Sequence, residues 1–285
     1  MKIKIPLSIL IPTKNEEKNI GRCLESIAEW GDEIIIVDSK SIDQTCKIAI
    51  SYGAKVVQFD YKGGWPKKRQ WAIETYPFRN EWILLLDSDE ILLPSIKDEI
   101  EKAIAQTEIE GYWIPFNIYF LGRLLHYGST RLFKLSLFKK GKGRYEKRIT
   151  NQDISMGDME IHEHVIVDGK VGFLKSPVKH ENFNSLDRYI QKHNEYSNWE
   201  ASVYWQGGNS NGINARFWGT QAEHRRWLRK RFMRLPALPV FVFIYFFFLR
   251  LGFLDGKVGL IYNLFRAVQF FHIKAKIYEK EITSQ

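Results

Sequence analysis

Two carboxylates spaced two residues apart close a short, entirely apolar run. The run spans residues 82–86, and Asp87 and Asp89 follow it. Such a run predicts a buried strand of a parallel sheet, and open α/β sheets bind ligands at the carboxyl ends of their strands. Mg²⁺ and Mn²⁺ favour carboxylate oxygens and often bridge them to substrate phosphates. The pattern favours a metal–diphosphate site at Asp87 and Asp89; a strand end followed by a helix cap is the alternative.

The elements that must position these acids begin with three earlier apolar runs. Each predicts a strand, and a helix follows each of them; the runs lie at residues 7–11, 33–37 and 54–59. Together with the strand before Asp87 they give a β–α–β–α–β–α–β unit. This order predicts a doubly wound half-sheet of an α/β fold, whose loops meet at one edge.

Two of the predicted helices carry capping-box spacing at their starts. The pairs are Thr13 with Glu16 and Ser41 with Gln44. Pro12 precedes the first pair, and we expect it to end the first strand because proline cannot donate to a sheet ladder.

Charged residues lie at two further points of the predicted ligand edge. Asp38 stands at the tip of the second strand, where a carboxylate typically accepts hydrogen bonds from a base or ribose. A structural turn is the alternative there. Lys67, Lys68 and Arg69 open the helix that leads into the Asp87 strand. They form either a solvated helix face or a phosphate clamp.

The composition indicates a folded chain with anionic partners. The length of 285 residues is enough for one large or two small domains. The hydrophobic share of 45% excludes a disordered chain. The net charge of +9 points to phosphates, nucleic acid or an acidic membrane surface. The two cysteines, Cys23 and Cys46, predict reduced thiols without a disulfide framework or metal cluster. The first residues lack the long apolar region of a signal peptide.

Three segments in order resemble the family 2 glycosyltransferases with the GT-A fold. They are residues 9–17, 36–45 and 86–90. The resemblance implies a nucleotide-sugar donor, usually a UDP-sugar, a divalent cation (Mg²⁺ or Mn²⁺) and inversion at the anomeric carbon. Lys40 departs from the glycine common in the second motif, which implies a stiffer loop or a lysine that faces a phosphate.

The resemblance also implies roles for single residues. Base and ribose would be held by Thr13, Glu16 and Asp38, and the metal by Asp89. Asp87 and Ser88 would meet the ribose and diphosphate. The full donor-binding set that we expect is Pro12, Thr13, Asn15, Glu16, Asp38, Lys68, Arg69, Asp87, Ser88 and Arg131.

After Asp89 the sequence predicts an acceptor-side half. A helix at residues 95–106 precedes aromatic-rich strands at 111–120 and 131–138. Arg131 lies inside the second of these predicted strands and is a candidate contact for an anionic group.

A His-Glu-His run follows at residues 162–164. In a strand the two histidines share one face and Glu163 points to the other, and a third soft ligand is not close in sequence, so zinc is disfavoured. A His-Glu pair with a later histidine resembles the subgroup of these enzymes that modifies lipopolysaccharide core or related glycans.

That resemblance assigns the base and a second metal ligand. An inverting transfer needs a base for the acceptor hydroxyl, and Glu163 is our prediction; an exposed strand acid is the alternative. The next candidates are Asp153, Asp158 and Glu160. His180 would complete the metal shell, with a satisfied core histidine as the alternative.

The glycine-rich residues 207–212 predict the domain boundary. We expect a catalytic domain at residues 1–212, made of a donor half at 1–90 and an acceptor half at 91–212. A basic and apolar helical region at 213–285 would associate with a membrane.

This tail runs from a basic, aromatic stretch at residues 224–234 into an almost wholly apolar run at 235–249. The run is shorter than the roughly 20 apolar residues of a spanning helix. The order fits an interfacial anchor on an anionic leaflet; a buried hairpin is the alternative. Nucleic acid is disfavoured because the sequence resembles neither a recognition helix nor a stacking sheet.

The sequence therefore predicts an inverting, metal-dependent glycosyltransferase. Its acceptor would be a membrane-linked or lipopolysaccharide-type glycan, and it would act as a peripheral or monotopic protein at the cytoplasmic face of the inner membrane. A nucleotidyltransferase on a similar sheet is one alternative, although its usual Gly-rich loop is replaced by residues 12–15. A non-catalytic membrane-bound scaffold is another, and the retained acids argue against it.

Overall fold

The computed structural model describes residues 4–149, 157–158, 160, 163–181, 185–206, 213, 215–219 and 221–283. The chain forms two compact units. The first unit comprises Met1–Asn117, Phe133–Tyr145 and Asp158–Asn182, and the second comprises Ile118–Leu132, Glu146–Gly157 and Phe183–Gln285.

The first unit opens with strands and helices in strict alternation. In chain order they are β1 (Ile5–Thr13), α1 (Ile20–Glu25), β2 (Gly31–Asp38), α2 (Thr45–Ser51), β3 (Lys55–Gln58), α3 (Lys68–Thr75) and β4 (Trp82–Leu85). The four strands pair in parallel in the order β3-β2-β1-β4. The predicted half-sheet is confirmed, and the carboxyl ends of its strands lie at one edge.

The sheet continues with strands of mixed direction. The further elements are β5 (Glu90–Ile91), α4 (Pro94–Ile104), β6 (Gly111–Phe120), β7 (Arg123–Leu124), β8 (Leu132–Lys139), β9 (Gly143–Tyr145), β10 (Val165–Val167), β11 (Val171–Phe173) and β12 (Val178–His180). The strand order along this sheet is β3-β2-β1-β4-β8-β6-β12-β5, with β7 and β11 also paired to β6, and β9 and β10 form a separate two-stranded sheet. Because β8 runs antiparallel to β4, the whole sheet is mixed, and the predicted α/β class is confirmed.

The sequence pattern explains why this sheet is covered on both faces. In β1 and β2 the side chains on both faces are buried, as expected for central strands of a parallel sheet. Leu10, Ile35 and Ile83 share one core cluster with Ala72 of α3. Ile9 and its neighbours at every second position point to the opposite face. This packing fixes the positions at which the strand tips carry acids.

Both predicted capping boxes are wrong. Thr13 is the last residue of β1, and α1 begins at Ile20 after Asn19. Gln44 precedes α2 without a side-chain cap bond. The Ser41 hydroxyl instead donates to the Asp38 carboxylate at the tip of β2, and this hydrogen bond competes with a helix cap.

Other local predictions also need correction. Pro12 does not end its strand; it pairs in register with Val37. Arg131 is exposed and precedes β8, which begins at Leu132. Glu163 precedes β10, which begins at Val165, so it is not a strand residue. His162 and Asp153 lie outside the described residues.

The second unit is mainly helical. Its helices are α5 (Leu186–Trp205), α6 (Gln221–Phe232), α7 (Leu238–Ile244) and α8 (Gly256–Thr283), with a π turn at Tyr245–Leu249 and a 3₁₀ turn at Gly252–Asp255. Ser185 caps α5, because its Oγ accepts from the Arg188 N–H at 3.1 Å. Residues 207–212, where the sequence predicts a domain boundary, lie outside the described residues.

Helices of the second unit share one core. Leu238 and Val242 of α7 pack with Ile273 and Ile277 of α8 and with Ala201 of α5. Among the described residues no single helix is long and apolar enough to cross a bilayer. One pair of helical segments, at 238–249 and 252–283, meets the length and composition requirements together, but it is bent by 75°.

Candidate active site

Asp38 lies at the tip of β2, where the parallel register places it beside Thr13 of β1. The Thr13 hydroxyl donates to Asp38 Oδ1 at 2.8 Å, and Ser41 donates through its N–H to Oδ2 at 2.8 Å and through its hydroxyl to Oδ1 at 2.5 Å. Burial raises the pKa of Asp38, but these hydrogen bonds outweigh burial and bring it below its ordinary value. The site therefore holds a buried carboxylate that stays ionised.

Asp87 follows β4 and lies between two cations. Arg69 of α3 donates to its Oδ1, and Lys134 of β8 donates to its Oδ2 at 3.0 Å. Burial raises the pKa of Asp87, but Arg69, Lys134 and the nearby His180 lower it well below the ordinary value. The structure thus brings together Asp87 and Arg69, two of the predicted donor-binding residues, in one ion cluster.

Lys134 also joins Asp87 to Glu90, since its Nζ lies 2.5 Å from Glu90 Oε1. Burial lowers the pKa of Lys134, but the two carboxylates outweigh burial and raise it above the ordinary range. Glu90 Oε2 in turn accepts the backbone N–H of Asp87 at 2.9 Å. The loop between β4 and β5 is therefore held by Glu90, the first residue of β5.

Asp89 and His180, the two residues predicted from the sequence to bind a metal, lie close together. β5 and β12 run antiparallel with His180 opposite Glu90, and His180 Nε2 lies 3.7 Å from Asp89 Oδ2. The second ring nitrogen, Nδ1, lies 3.2 Å from Glu90 Oε1. Burial lowers the pKa of His180, but Asp89 and Glu90 outweigh burial and raise it above the ordinary value.

The residues present fit a divalent cation that takes some of its ligands from the protein and the others from a substrate. No group of three or more His, Cys, Asp or Glu side chains arranged for a metal occurs in the described part of the chain. Asp87 and Glu90 are engaged by cations, which leaves Asp89 and His180 as an oxygen and a nitrogen donor. Mg²⁺ is typically bound by one or two protein groups plus substrate phosphates. A carboxylate behind the other nitrogen of a histidine, here Glu90, is usual for a metal-ligating histidine.

The cations that open α3 face acids from residues 158–160. Lys68 has a fully buried side chain whose Nζ donates to the Thr13 carbonyl at 2.6 Å and lies 3.1 Å from Asp158. Glu160 accepts the N–H groups of Arg69 and Gln70 at 3.1 and 2.9 Å. Burial raises the pKa of Glu160 in spite of Arg69. A carboxylate at these first N–H groups stabilises the start of the helix.

Glu163, the predicted base, faces Lys67. Their charged atoms are 3.7 Å apart, and neither side chain is exposed to solvent. Burial lowers the pKa of Lys67, although Glu163 and the acids nearby favour its charged form. Glu163 is therefore a buried acid held against a buried cation, and the alternative of an exposed strand acid is wrong.

The other predicted donor residues occupy different positions. Asn15, at a positive φ of 56°, accepts the Ile42 N–H through its side chain at 2.9 Å. Glu16 is buried and accepts from the Asn19 amide at 2.8 Å. Ser88 is buried between the two acids of the β4 loop. Arg131 belongs to the second unit.

Three charged residues of the site were not among the donor and metal residues predicted from the sequence. Lys134 interrupts an otherwise mostly apolar strand, and that interruption was the available signal. Glu90 ends the acidic motif itself but carried no separate pattern. Lys67 stood in the basic run, where its complete burial had no sequence signal.

Comparison with known proteins gives a consistent assignment. A family model described as "Glycosyl transferase family 2" matches residues 8–166, more than half of the chain. The lipopolysaccharide core biosynthesis glycosyltransferase LpsC of Rhizobium meliloti is 29% identical over 97% of this chain and 93% of its own length. An uncharacterized glycosyltransferase of Rickettsia conorii is 30% identical over 68% of this chain and 69% of its own.

Among solved structures, TarS 1–349 of S. aureus resembles the chain at a TM-score of 0.48 and 16% identity, covering 99% of this chain and 92% of that one. A likeness of that size identifies no shared activity. The family match and the relatives confirm the resemblance carried by residues 9–17, 36–45 and 86–90. The chain belongs to glycosyl transferase family 2.

Proposed function

We propose that this protein transfers a sugar from a nucleotide-sugar donor to a glycan acceptor, on a GT-A fold and with inversion at the anomeric carbon. One observation carries the proposal. The Asp89–His180 pair and the Arg69–Asp87–Lys134 ion cluster belong to one connected set of side chains, joined through Glu90. A diphosphate leaving group needs cations and a metal-binding acid together.

The donor half is assigned as follows. Thr13 and Asp38, fixed to each other at the tips of β1 and β2, lie where a base and ribose bind in such sheets. Lys68 and Arg69, together with Lys134, supply positive charge for the diphosphate. Family membership supports a UDP-sugar as the donor class.

Asp89 and His180 would hold Mg²⁺ or Mn²⁺. When bound, the cation supplies charge that screens the diphosphate as it leaves. Asp87 keeps Arg69 and Lys134 in place in the free protein, so both cations are already positioned when the donor arrives.

The transfer itself needs one proton acceptor. The acceptor hydroxyl oxygen forms a bond to the anomeric carbon while the bond from that carbon to the diphosphate oxygen breaks on the opposite face. Glu163 takes the hydroxyl proton, and the bond electrons leave with the nucleoside diphosphate. Lys67 holds the Glu163 carboxylate in the free protein, so the acceptor must gain access to a side chain that is buried there.

The acceptor that we propose is a membrane-linked or lipopolysaccharide-type glycan, used at the cytoplasmic face of the inner membrane by a peripheral or monotopic enzyme. Support comes from LpsC, a relative over nearly the whole chain whose name places it in lipopolysaccharide core biosynthesis.

Thermal unfolding of the full chain with UDP, UDP-sugars and UTP, each with and without Mn²⁺, tests this proposal. A ligand that binds the native state raises the midpoint temperature of unfolding. At a ligand concentration 100 times its Kd, the free energy of unfolding rises by about 2.7 kcal/mol. We expect UDP and one UDP-sugar to stabilise the protein more with Mn²⁺ than without it. A preference for UTP alone would favour a nucleotidyltransferase, and no stabilisation by any of them would refute the donor site.

Two variants make the test specific. Asp89→Asn should remove the Mn²⁺-dependent part of the stabilisation. Asp60→Asn is the matched control, because Asp60 is an acid of the same unit whose ion pair with Lys40 is exposed. Its nucleotide response should equal that of the unmodified protein.

A further inference from the structure

The second unit exposes a bent, apolar segment at residues 240–254, which we call the knuckle. Six of its large side chains are 43–70% exposed to solvent: Phe241, Tyr245, Phe248, Leu249, Phe253 and Leu254. A contiguous exposed apolar surface of this kind marks a site for a membrane or a partner.

The knuckle begins in α7 and continues through the π turn at Tyr245–Leu249, and one face of this stretch is packed against the protein. Leu238 and Val242 are buried against α8, and the guanidinium of Arg266 lies 4.0 Å from the ring centre of Phe246. Positions 238, 242 and 246 repeat every four residues, so they form one stripe of the helix. The exposed side chains lie on the faces that this stripe leaves open.

The bend of the knuckle is fixed by close contacts. Leu251 has a φ of 59°, and a Cβ added to Gly252 would lie 2.7 Å from the Phe246 carbonyl oxygen, so glycine is required there. Asp255 accepts the N–H groups of His126 and Tyr127 at 3.1 and 3.0 Å. The apolar side chains are thus displayed by a bend that is held on both sides.

The charged residues within and next to the knuckle in the sequence are almost all positive. Arg231, Arg234, Arg250 and Lys257 are exposed. Asp255 is the single acid between Arg231 and Lys257 in the sequence, and its two oxygens accept backbone N–H groups. An exposed apolar tip flanked by cations complements a bilayer that carries anionic headgroups over an apolar interior.

We propose that the knuckle inserts into the headgroup–acyl boundary of an anionic phospholipid bilayer, and that Arg231, Arg234 and Lys257 contact the headgroup phosphates. Amphipathic elements of this kind sit about 5–10 Å deep in the interface. The proposal narrows membrane association to one surface. It does not depend on the proposed activity, because the knuckle belongs to the second unit and the donor residues to the first.

Flotation of the full chain with vesicles tests the surface directly, using phosphatidylcholine alone and phosphatidylcholine mixed with phosphatidylglycerol. We expect binding to the mixed vesicles, weakened by salt because the cations contribute. Phe241→Glu combined with Phe248→Glu should lower the partition coefficient by about tenfold or more, since two exposed rings no longer enter the bilayer. Ile50→Glu is the matched control, because Ile50 is 62% exposed on α2 of the first unit.

A second variant keeps the test independent of the first. Arg231→Gln combined with Arg234→Gln should lower binding to mixed vesicles by about fivefold per cation and leave the weaker binding to neutral vesicles unchanged. Both double variants should retain the far-UV circular dichroism spectrum and the cooperative thermal unfolding of the unmodified protein, which shows that they are folded.

Two results would overturn the proposal. Equal flotation of the Phe241/Phe248 variant and the unmodified protein would place the membrane contact elsewhere. A protein that sediments as a dimer without lipid, and as a monomer once Phe241 and Phe248 are replaced, would show that a second copy covers the knuckle.

Discussion

The ammonium of Lys67 and the carboxylate of Glu163 face each other at 3.7 Å with both side chains fully buried. The two residues are far apart in sequence, and Lys67 immediately precedes α3. Two buried charges are stable when each compensates the other. The pair therefore fixes the chain around Glu163 to the start of the helix that carries Arg69.

Replacement of Glu163 by glutamine tests its role as the base. Glutamine keeps the shape but cannot take a proton, and general base catalysis contributes roughly 10²–10⁴-fold. We expect kcat for sugar transfer to fall within that range while UDP affinity, measured by titration calorimetry, stays unchanged. The acid limb of the pH–rate profile should also disappear.

Glu160→Gln is the contrasting variant, because Glu160 accepts backbone N–H groups at the start of α3. It should lower stability without removing the acid limb of the profile. If Glu163→Gln abolishes UDP binding together with turnover, Glu163 is a structural residue and the base must be sought elsewhere.

Lys67→Met should destabilise the protein strongly. It removes the Lys67 ammonium from the buried Glu163 carboxylate, and breaking a buried pair in this way costs about 3–5 kcal/mol. The double variant Lys67→Met with Glu163→Gln should recover part of the loss, because neither member of this pair then leaves a buried charge behind. Urea unfolding of the four proteins in this cycle gives the coupling energy, and additive losses would contradict a direct interaction.

Asp89→Asn should weaken metal binding by the nucleotide complex. The carboxylate beside His180 is the oxygen donor that the site offers, and an amide oxygen carries no charge for Mn²⁺. Electron paramagnetic resonance of free Mn²⁺ in the presence of UDP measures this binding without any turnover. The same Mn²⁺ affinity in the variant and in the unmodified protein would remove Asp89 from the metal site.

Much of the donor half follows from the sequence for a physical reason. The central part of a strand that is buried on both faces is apolar, so an acid that follows such a run marks the end of the strand, as at the carboxyl ends of β2 and β4. Asp38, Asp87 and Asp89 lie where that argument places them. Local signals were enough because burial and polarity change within one or two residues.

The other members of the site depend on contacts between distant strands. Glu90 meets His180 only through the pairing of β5 with β12, and Lys134 reaches Asp87 from β8. The predicted starts of α1 and α2 were wrong for a related reason. The Ser41 hydroxyl donates to Asp38 and does not cap the helix that follows it. Sequence spacing alone does not show which of these two roles a serine takes.

Lys134→Met should lower stability although Lys134 is partly exposed. Its ammonium contacts both Asp87 and Glu90, and among the described residues Arg69 and His180 would remain as their cationic neighbours. We expect a loss of about 1–3 kcal/mol after allowance for solvent screening. Lys142→Met, at an exposed lysine of a turn, is the control and should change urea stability by less than about 0.5 kcal/mol.

His193 of α5 should make the second unit less stable in mild acid. Burial, which outweighs its contact with Gln269 of α8, lowers the pKa of His193 from 6.5 to about 4. In the unfolded chain the ring takes a proton below its ordinary pKa, whereas the folded ring stays neutral down to about pH 4. The unfolded state therefore binds more protons in this window, and stability falls as the pH drops through it.

Urea unfolding at about pH 7.5 and about pH 5 measures this effect in the unmodified protein and in His193→Phe. Phenylalanine keeps the ring volume beside Tyr189 and Tyr196 but cannot titrate. We expect the unmodified protein to lose about 2 kcal/mol more than the variant between the two pH values, since one pKa unit corresponds to about 1.4 kcal/mol. An equal loss in both proteins would mean that His193 is accessible to protons in the native state.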